Sequence, residues 1–267
     1  MTKRRRNSGW IGLIFVILVF LAYRLVQGLS PFNNNTRDRE VTFRMYPGFG
    51  IELPEDYAIH GIDVSRYQSS VNWGMVKEMK SGEVKLGFAF IKATEGSTLT
   101  DKQFTRNWRK SRQTGVVRGA YHFFRAKTDA AAQARLFIKS VTLLPGDLPP
   151  VLDVESLDNE TAQEMQDGVA LWLLLVEQHY KVKPIIYTNA IFYNNYLHPR
   201  FSDYPLWVAH YNERKRPRVN REWLFWQHSE SGRVNGINHH VDFNVFNGDS
   251  ASFRALLVGE KNNRVHE

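Results

Sequence analysis

The 267-residue sequence contains no cysteine. This absence excludes disulfide bonds, a catalytic thiol and thiolate-bound metals. A packed core is nevertheless available, because 43% of the residues are apolar and 13% are aromatic. The length suits one domain of barrel size or two smaller domains.

Acidic residues are missing from the first thirty positions, which carry Lys3, Arg4, Arg5, Arg6 and Arg24. These five cations supply most of the formal net charge of +8 and leave +3 for the rest of the chain. So small an excess does not indicate a nucleic-acid partner, and none is predicted.

The first 29 residues resemble a membrane anchor. Residues 10–23 are uncharged and mostly apolar, and the apolar character resumes after Arg24. A segment of about twenty such residues can span a bilayer if Arg24 reaches the interface. The basic flank favours a cytoplasmic N-terminus, and no small-x-small cleavage site follows. We predict a cytoplasmic basic tail and an uncleaved transmembrane helix in 1–29, with secretion after signal cleavage as the alternative.

Residues 30–57 combine proline, asparagine, glycine and charges of both signs without a sustained period. This composition predicts a stalk, or an ornament packed on the edge of the domain that follows. The remaining chain is divided into a body at 58–250 and a C-terminal tail at 251–267.

The body alternates short apolar runs with amphipathic stretches, which is typical of β/α units. Eight strands are predicted near residues 61–65, 87–93, 118–123, 150–155, 184–188, 206–210, 224–228 and 240–243. Helices are predicted at 71–80, 101–114, 129–144 and 159–180. The later connections, 211–222 and 229–239, are too rich in polar residues, proline and glycine to be full helices. We expect an α/β fold, an irregular eight-stranded TIM-like barrel with reduced late helices.

The strand predicted at 150–155 ends in two carboxylates, Asp153 and Glu155. Alternate residues of a strand share a face, so both side chains should point the same way with Cα atoms about 6.6 Å apart. Two such acids can take different protonation states, which glycosidic bond cleavage requires. Solvated acids at a strand end are the plainer interpretation.

Other polar and aromatic residues fall at or near predicted strand ends, where barrels place their chemistry. They are Asp63, Glu95, Tyr121, His122, Tyr187, Trp207, His210, Gln227 and Asp242. Acids and aromatic faces on one rim suit a sugar-binding cleft, although any single aromatic residue could serve core packing.

Two other site types are not favoured. The nine histidines contain no H-x-x-x-H or comparable spacing, so no metal is predicted. The segment KATEG at 92–96 lacks the glycine-rich lead-in of a phosphate-binding loop, and Glu95 is expected to form structural hydrogen bonds.

Seven segments in order resemble the family 25 glycoside hydrolases, which are lysozyme-like N-acetylmuramidases. They are HGIDVSRYQ (60–68), FIKATEG (90–96), GAYHF (119–123), PVLDVE (150–155), LWVAHY (206–211), WQ (226–227) and VDFN (241–244). The resemblance covers about 58–248 and implies an irregular β/α barrel, in agreement with the separate strand count.

The resemblance implies catalytic roles for Glu155 as general acid, Asp153 as its partner, and Asp63 and Asp242 as further acids of the site. It implies cleft-lining, substrate-binding positions for Tyr121, Tyr187, Trp207 and Gln227. The expected substrate is the glycan of peptidoglycan, with no cofactor, and the expected protein is a monomer at a bacterial envelope. A non-hydrolytic peptidoglycan-binding module and a glucosaminidase or chitin-active enzyme are the alternatives.

Overall fold

The structure is a computed structural model that describes residues 40–259. Eight strands form a closed barrel in the order β1 to β8, with β8 hydrogen-bonded to β7 and β1. The strands are β1 (Ile59–Val64), β2 (Val84–Glu95), β3 (Val117–Phe123), β4 (Val151–Asp153), β5 (Ile185–Asn189), β6 (Leu206–Ala209), β7 (Phe225–Gly232) and β8 (Val241–Phe246). Each overlaps one predicted strand, so the eight-stranded barrel is confirmed.

The eighth strand departs from the all-parallel arrangement of a regular β/α barrel. Strands β1 to β7 pair in parallel, whereas β8 is antiparallel to both neighbours. A parallel return needs a crossover of a dozen or more residues, and only residues 233–240 join β7 to β8. The short connection therefore forces β8 to run back along β7.

Four helices confirm the four that were predicted: α1 (Trp73–Glu78), α2 (Phe104–Gln113), α3 (Ala130–Ser140) and α4 (Ala162–Tyr180). Helix α4 begins with a capping box in which Thr161 and Glu164 bind each other's backbone N–H groups. The segments joining β6 to β7 and β7 to β8 contain no helix, as predicted for these described connections. Short helical turns, Ala190–Phe192 and Tyr193–Leu197, join β5 to β6.

A fifth helix, α5 (Ser250–Leu256), lies where a C-terminal tail at 251–267 was predicted. Its Phe253 ring packs against Phe88 and Phe246, with centroid distances of 5.7 and 5.1 Å. The packed body thus extends past residue 250. A seven-residue helix with one buried apolar residue has too little periodicity to be recognised from sequence.

Aromatic side chains fill the barrel interior below its C-terminal mouth. Phe88 and Phe90 lie two residues apart on β2, so their rings share one face of the strand. Both are completely buried. Neighbouring strands carry glycine opposite these rings: a Cβ on Gly61 would lie 2.5 Å from Phe88, and one on Gly119 would lie 2.5 Å from Phe90. The two glycines make room for the phenylalanines that close the barrel floor.

An N-terminal hairpin, Phe43–Tyr46 paired with Ile51–Pro54, covers the outer face of the late strands. Phe49 lies 5.2 Å from Phe243 of β8, and Phe43 lies 6.0 Å from Trp226 of β7. No helix covers these strands within residues 210–240, so the hairpin supplies the missing outer layer. The packed body therefore includes this hairpin, which lies before residue 58.

The described helices include none that combines enough length and apolar character to cross a membrane. The transmembrane segment predicted in 1–29 lies outside the described residues.

Phe49→Ala should lower the free energy of unfolding by about 3 to 5 kcal/mol, because it leaves a cavity between hairpin and barrel. Urea denaturation monitored by tryptophan fluorescence measures the loss. Met45→Ala on the same hairpin removes a side chain that is 55% exposed and should cost less than about 0.5 kcal/mol. Equal, small losses for both variants would show that the hairpin adds little to the stability of the barrel.

Candidate active site

A cavity of about 200 Å³ opens at the C-terminal ends of the parallel strands. All eight residues to which the family resemblance gives a site role line it: Asp63, Tyr121, Asp153, Glu155, Tyr187, Trp207, Gln227 and Asp242. Five further lining residues are Ser65, Tyr67, Gln68, Lys92 and Phe123. Each of the five lies inside one of the family-like segments, so the position in such a segment is the feature of the sequence that could have identified them. No separate feature of the sequence assigns a site role to any of the five, because each can equally be a structural residue of its segment.

The end of β4 presents Asp153 and Glu155 to the cavity. The strand ends at Asp153, whose carbonyl accepts a hydrogen bond from Phe124 N at 2.8 Å. The extended path continues, because Val154 N donates to Tyr187 O at 2.9 Å. Alternation along this path turns Asp153 and Glu155 to the same side, as predicted. Asp153 is buried, while Glu155 is open to solvent from the cavity.

Both carboxyl groups favour the protonated form more than they would in water. Burial, and then the nearby charge of Glu155, raise the pKa of Asp153 well above its ordinary value, against an opposing effect of Lys92. Partial burial raises the pKa of Glu155, against a hydrogen bond with Tyr187 and the charges of Lys92 and Arg125. The pair therefore keeps a proton to a higher pH than two carboxyl groups in water would.

Asp63 and Asp242 form a second carboxyl pair across β1 and β8. They are register partners, so the antiparallel strand brings its first residues to the C-terminal end of β1. Burial, and then the charge of Asp242, raise the pKa of Asp63 well above its usual range. Burial raises the pKa of Asp242 to about 6, although a hydrogen bond with Asp63 acts in the opposite direction. These directions put the shared proton on Asp63.

Amide groups fix the orientation of Asp63. Gln227 Nε2 and Asn244 Nδ2 each donate to Asp63 Oδ2 at 2.8 Å. The amides are oriented in turn, because Tyr187 donates to Gln227 Oε1 at 2.7 Å and Trp207 Nε1 donates to Asn244 Oδ1 at 2.7 Å. Gln227 and Trp207 therefore use their polar atoms to support Asp63, and both are nearly inaccessible to solvent.

Glu95 stands behind the cavity wall in a set of ion pairs. Its Oε2 accepts from Lys92 Nζ at 2.8 Å, and its Oε1 accepts from Arg125 Nη2 at 2.6 Å. The structural role predicted for Glu95 is confirmed by these bonds.

The histidines near the barrel do not line the cavity. His122 Nε2 donates to Gln133 Oε1 at 2.9 Å, since that oxygen also accepts from Arg125 N, and its Nδ1 accepts from Thr94 Oγ1 at 2.7 Å. Burial lowers the pKa of His122 to about 4, so the ring is neutral at pH 7. Within residues 40–259, no group of three or more histidine and acidic side chains is arranged to hold a metal ion.

Asp242→Asn should stabilise the folded protein at pH 7.5 by about 2 to 4 °C in Tm. The raised pKa means that the folded state binds this proton more tightly than the unfolded chain, so its stabilising contribution is present at low pH and is lost as pH rises through about 6. Asparagine does not titrate, so the advantage should vanish below about pH 4. Calorimetry at both pH values measures this, with exposed Asp203→Asn as the matched control. A variant less stable than the original at pH 7.5 would refute the shared-proton geometry.

Comparisons with known proteins place these features in a family. The chain is 48% identical over 219 residues to the uncharacterized protein YegX of Escherichia coli K12, covering 82% of this chain and 80% of that protein. It is 35% identical over 217 residues to lysozyme M1 of Streptomyces globisporus, covering 74% of this chain and 71% of that protein.

A solved family 25 glycosyl hydrolase from Bacillus anthracis superposes with a TM-score of 0.69 at 30% identity, covering 82% of this chain and 97% of that structure. The family model described as glycosyl hydrolases family 25 matches residues 62–237, which include Asp63, Asp153 and Glu155. The chain belongs to the glycosyl hydrolases of family 25.

Proposed function

We propose that this chain is a peptidoglycan hydrolase of the lysozyme type, an N-acetylmuramidase. It hydrolyses the β-1,4 bond between N-acetylmuramic acid and N-acetylglucosamine. The observation that carries the proposal is the pair Asp153 and Glu155, two carboxyls with raised pKa values on one cavity wall. Family membership and the muramidase names among the relatives support the substrate class.

Glu155 is the general acid in this proposal. Its side chain reaches the open part of the cavity, where it can protonate the glycosidic oxygen and later activate water. A bound glycan displaces water from this carboxyl and raises its pKa further, which favours the proton-donating form.

Asp153 is the catalytic partner of Glu155. Its Oδ1 is buried and has no hydrogen-bond partner among the described residues, so this oxygen is available to a reacting group. It either attacks the anomeric carbon or orients the 2-acetamido group of the substrate so that the acetamido carbonyl attacks. Both sugars of peptidoglycan carry that acetamido group, so both routes are chemically available.

The other lining residues bind and support the substrate. Tyr121 and Tyr187 line the cavity, and aromatic rings of this kind pack on pyranose C–H groups. Tyr67 extends the same surface outward, since it lines the cavity and is 68% exposed. Asp63 and Asp242 sustain the negative potential that stabilises an oxocarbenium-like transition state.

A non-hydrolytic glycan-binding module is the rival function, and the acid cluster argues against it. Buried like-charged carboxyls disfavour the folded state, so a binder would gain by replacing them with amides. A glucosaminidase or chitin-active hydrolase remains the nearer alternative, because the same two acids serve any of these reactions.

We further propose that residues 1–29 anchor the protein in a bacterial membrane, with a monomeric catalytic body outside the cytoplasm. The basic flank, the apolar run and the missing cleavage motif support this location. Secretion after signal cleavage is the alternative.

Glu155→Gln should lower the hydrolysis of purified peptidoglycan by about 10³-fold or more, because glutamine cannot donate a proton. Mass spectrometry of the released fragments should find reducing-end muramic acid with the original protein and almost none with the variant. Binding to sacculi and the Tm of thermal unfolding are the controls for folding, and neither should change in the variant.

Three other results would redirect the proposal. Reducing-end glucosamine would identify a glucosaminidase, and sacculus binding without any product would identify a binding module. Hydrolysis undiminished in Glu155→Gln would remove this residue from the catalytic role.

Fractionation of cells that produce the full chain should recover it in the membrane, released by detergent but not by high salt. N-terminal sequencing should find the basic tail intact. A soluble mature form that starts after residue 28 would establish signal cleavage instead. A chain beginning at residue 30 is the matched control and should be soluble.

A further inference from the structure

Lys92 is the only lysine or arginine among the described residues that line the cavity. Its side chain is 8% exposed, so its ammonium group acts in a poorly hydrated environment where charges interact strongly. Four carboxyl groups share the cavity with it. Burying this cation costs hydration, so its position depends on partners that hold it at the cavity wall.

A β-bulge in β2 brings Lys92 and its partner to the same side of the strand. Lys92 pairs with Tyr121 of β3, but the register then shifts, so that Thr94 pairs with His122 and Glu95 with Phe123. In a regular strand, residues three apart point to opposite faces. The extra residue restores Glu95 to the side of Lys92 and permits their 2.8 Å ion pair.

The ammonium group is held in place from two directions. Glu95 binds it with one oxygen and binds Arg125 with the other. The ring of Phe123 lies 4.6 Å from Lys92 Nζ, within the range of a cation–π contact. These contacts fix a positive charge on the cavity wall, so that it does not move to whichever carboxylate is nearest.

The groups that act on Asp153 come from several strands, and all but one oppose its ionisation. Burial, Glu155, Asp63 and Glu95 disfavour the carboxylate, whereas Lys92 favours it. The phenols Tyr121 and Tyr187 also face this carboxyl. Glu155 differs, because a hydrogen bond with Tyr187 and the charge of Arg125 help Lys92 to lower its pKa.

We propose that Lys92 is a positioning residue that decides which member of the pair Asp153 and Glu155 holds their shared proton, keeping Asp153 ionised and Glu155 protonated once substrate covers the cavity. The inference rests on the muramidase function proposed above.

The proton balance is simple. Substrate removes water from Glu155, which lies at the open side, and makes its charge less favourable. The proton of the pair then resides on Glu155, and the negative charge on Asp153 is balanced by Lys92. Without the cation, the more deeply buried Asp153 would keep the proton, and Glu155 would have none to give to the glycosidic oxygen.

The test compares Lys92→Met, which keeps the length of the side chain without its charge, with Lys92→Arg, which keeps the charge. Carboxyl ¹³C NMR titration of the substrate-free protein reports the pKa of Asp153 directly. We expect Lys92→Met to raise it by about one unit or more and Lys92→Arg to leave it near its original value. Lys85→Met, an exposed lysine of the same strand, is the matched control and should change nothing.

The pH profile of kcat/KM provides the second measurement. On the acidic limb, activity rises as Asp153 ionises, and on the alkaline limb it falls as Glu155 loses its proton. Lys92 lowers the pKa of both carboxyl groups. Lys92→Met should therefore move both limbs to higher pH, and Lys92→Arg should restore their positions. A merely structural lysine would change the height of the profile or the Tm, without moving the limbs.

Glu95→Gln should act in the opposite direction. It removes a negative charge that faces Asp153 and leaves the lysine in the chain, so the pKa of Asp153 should fall and the acidic limb should move to lower pH. If Lys92→Met does not fold, Lys92→Gln takes its place, because it removes the charge but keeps a hydrogen-bonding group for Glu95, and it should raise the pKa of Asp153 in the same way.

The outcomes separate the two proposals. Unchanged titration of Asp153 in Lys92→Met, or in Lys92→Gln if only that variant folds, would overturn the role of Lys92 and leave the muramidase function intact. If the original protein hydrolyses no peptidoglycan, the proposed function fails, while the NMR titration still shows whether Lys92 controls the ionisation of Asp153.

Discussion

Electrostatic repulsion among four carboxyl groups in one cavity of about 200 Å³ is the constraint on which the rest of the site depends. Water would screen such charges, but Asp63 and Asp153 are buried and lose most of that screening. The protein compensates with protons, amide donors and one fixed ammonium group. Each compensating group comes from a different strand, so the closed barrel is what allows them to meet.

The architecture explains why the compensation can be so specific. Phenylalanines on β2 fill the barrel below the cavity, and glycines on the neighbouring strands make room for them. A filled interior leaves Gln227 and Asn244 little freedom, so their amides remain directed at Asp63. The outer layer contributes in the same way, because the N-terminal hairpin packs on β7 and β8 where helices are absent. Rigid support of this kind keeps buried polar groups in their hydrogen-bonding geometry.

The parts of this structure that the sequence predicts are those governed by local patterns. Apolar runs marked all eight strands, and strand alternation correctly turned Asp153 and Glu155 to one side. The direction of β8 was not predicted, because it depends on the length of a connection and on closure of the barrel. Helix α5 was missed, and for the hairpin the sequence left a stalk and a packed ornament as alternatives, since the few buried residues of both elements have no clear period. The role of Lys92 was also hidden, because it depends on a register shift between β2 and β3 that no spacing rule reveals.

The two carboxyl pairs illustrate how backbone geometry separates chemical roles. Asp63 and Asp242 are direct cross-strand partners, whose Cα atoms in such a position lie about 4.5 to 5.5 Å apart. Two carboxyl groups at such a short distance bind each other through a proton. No reacting group then fits between them. Asp153 and Glu155 follow one another along one extended segment, about 6.6 Å apart at Cα, and their outer oxygens can diverge around a reacting bond. This difference supports the proposal that the pair along the strand carries the chemistry, with the pair across strands as its electrostatic support.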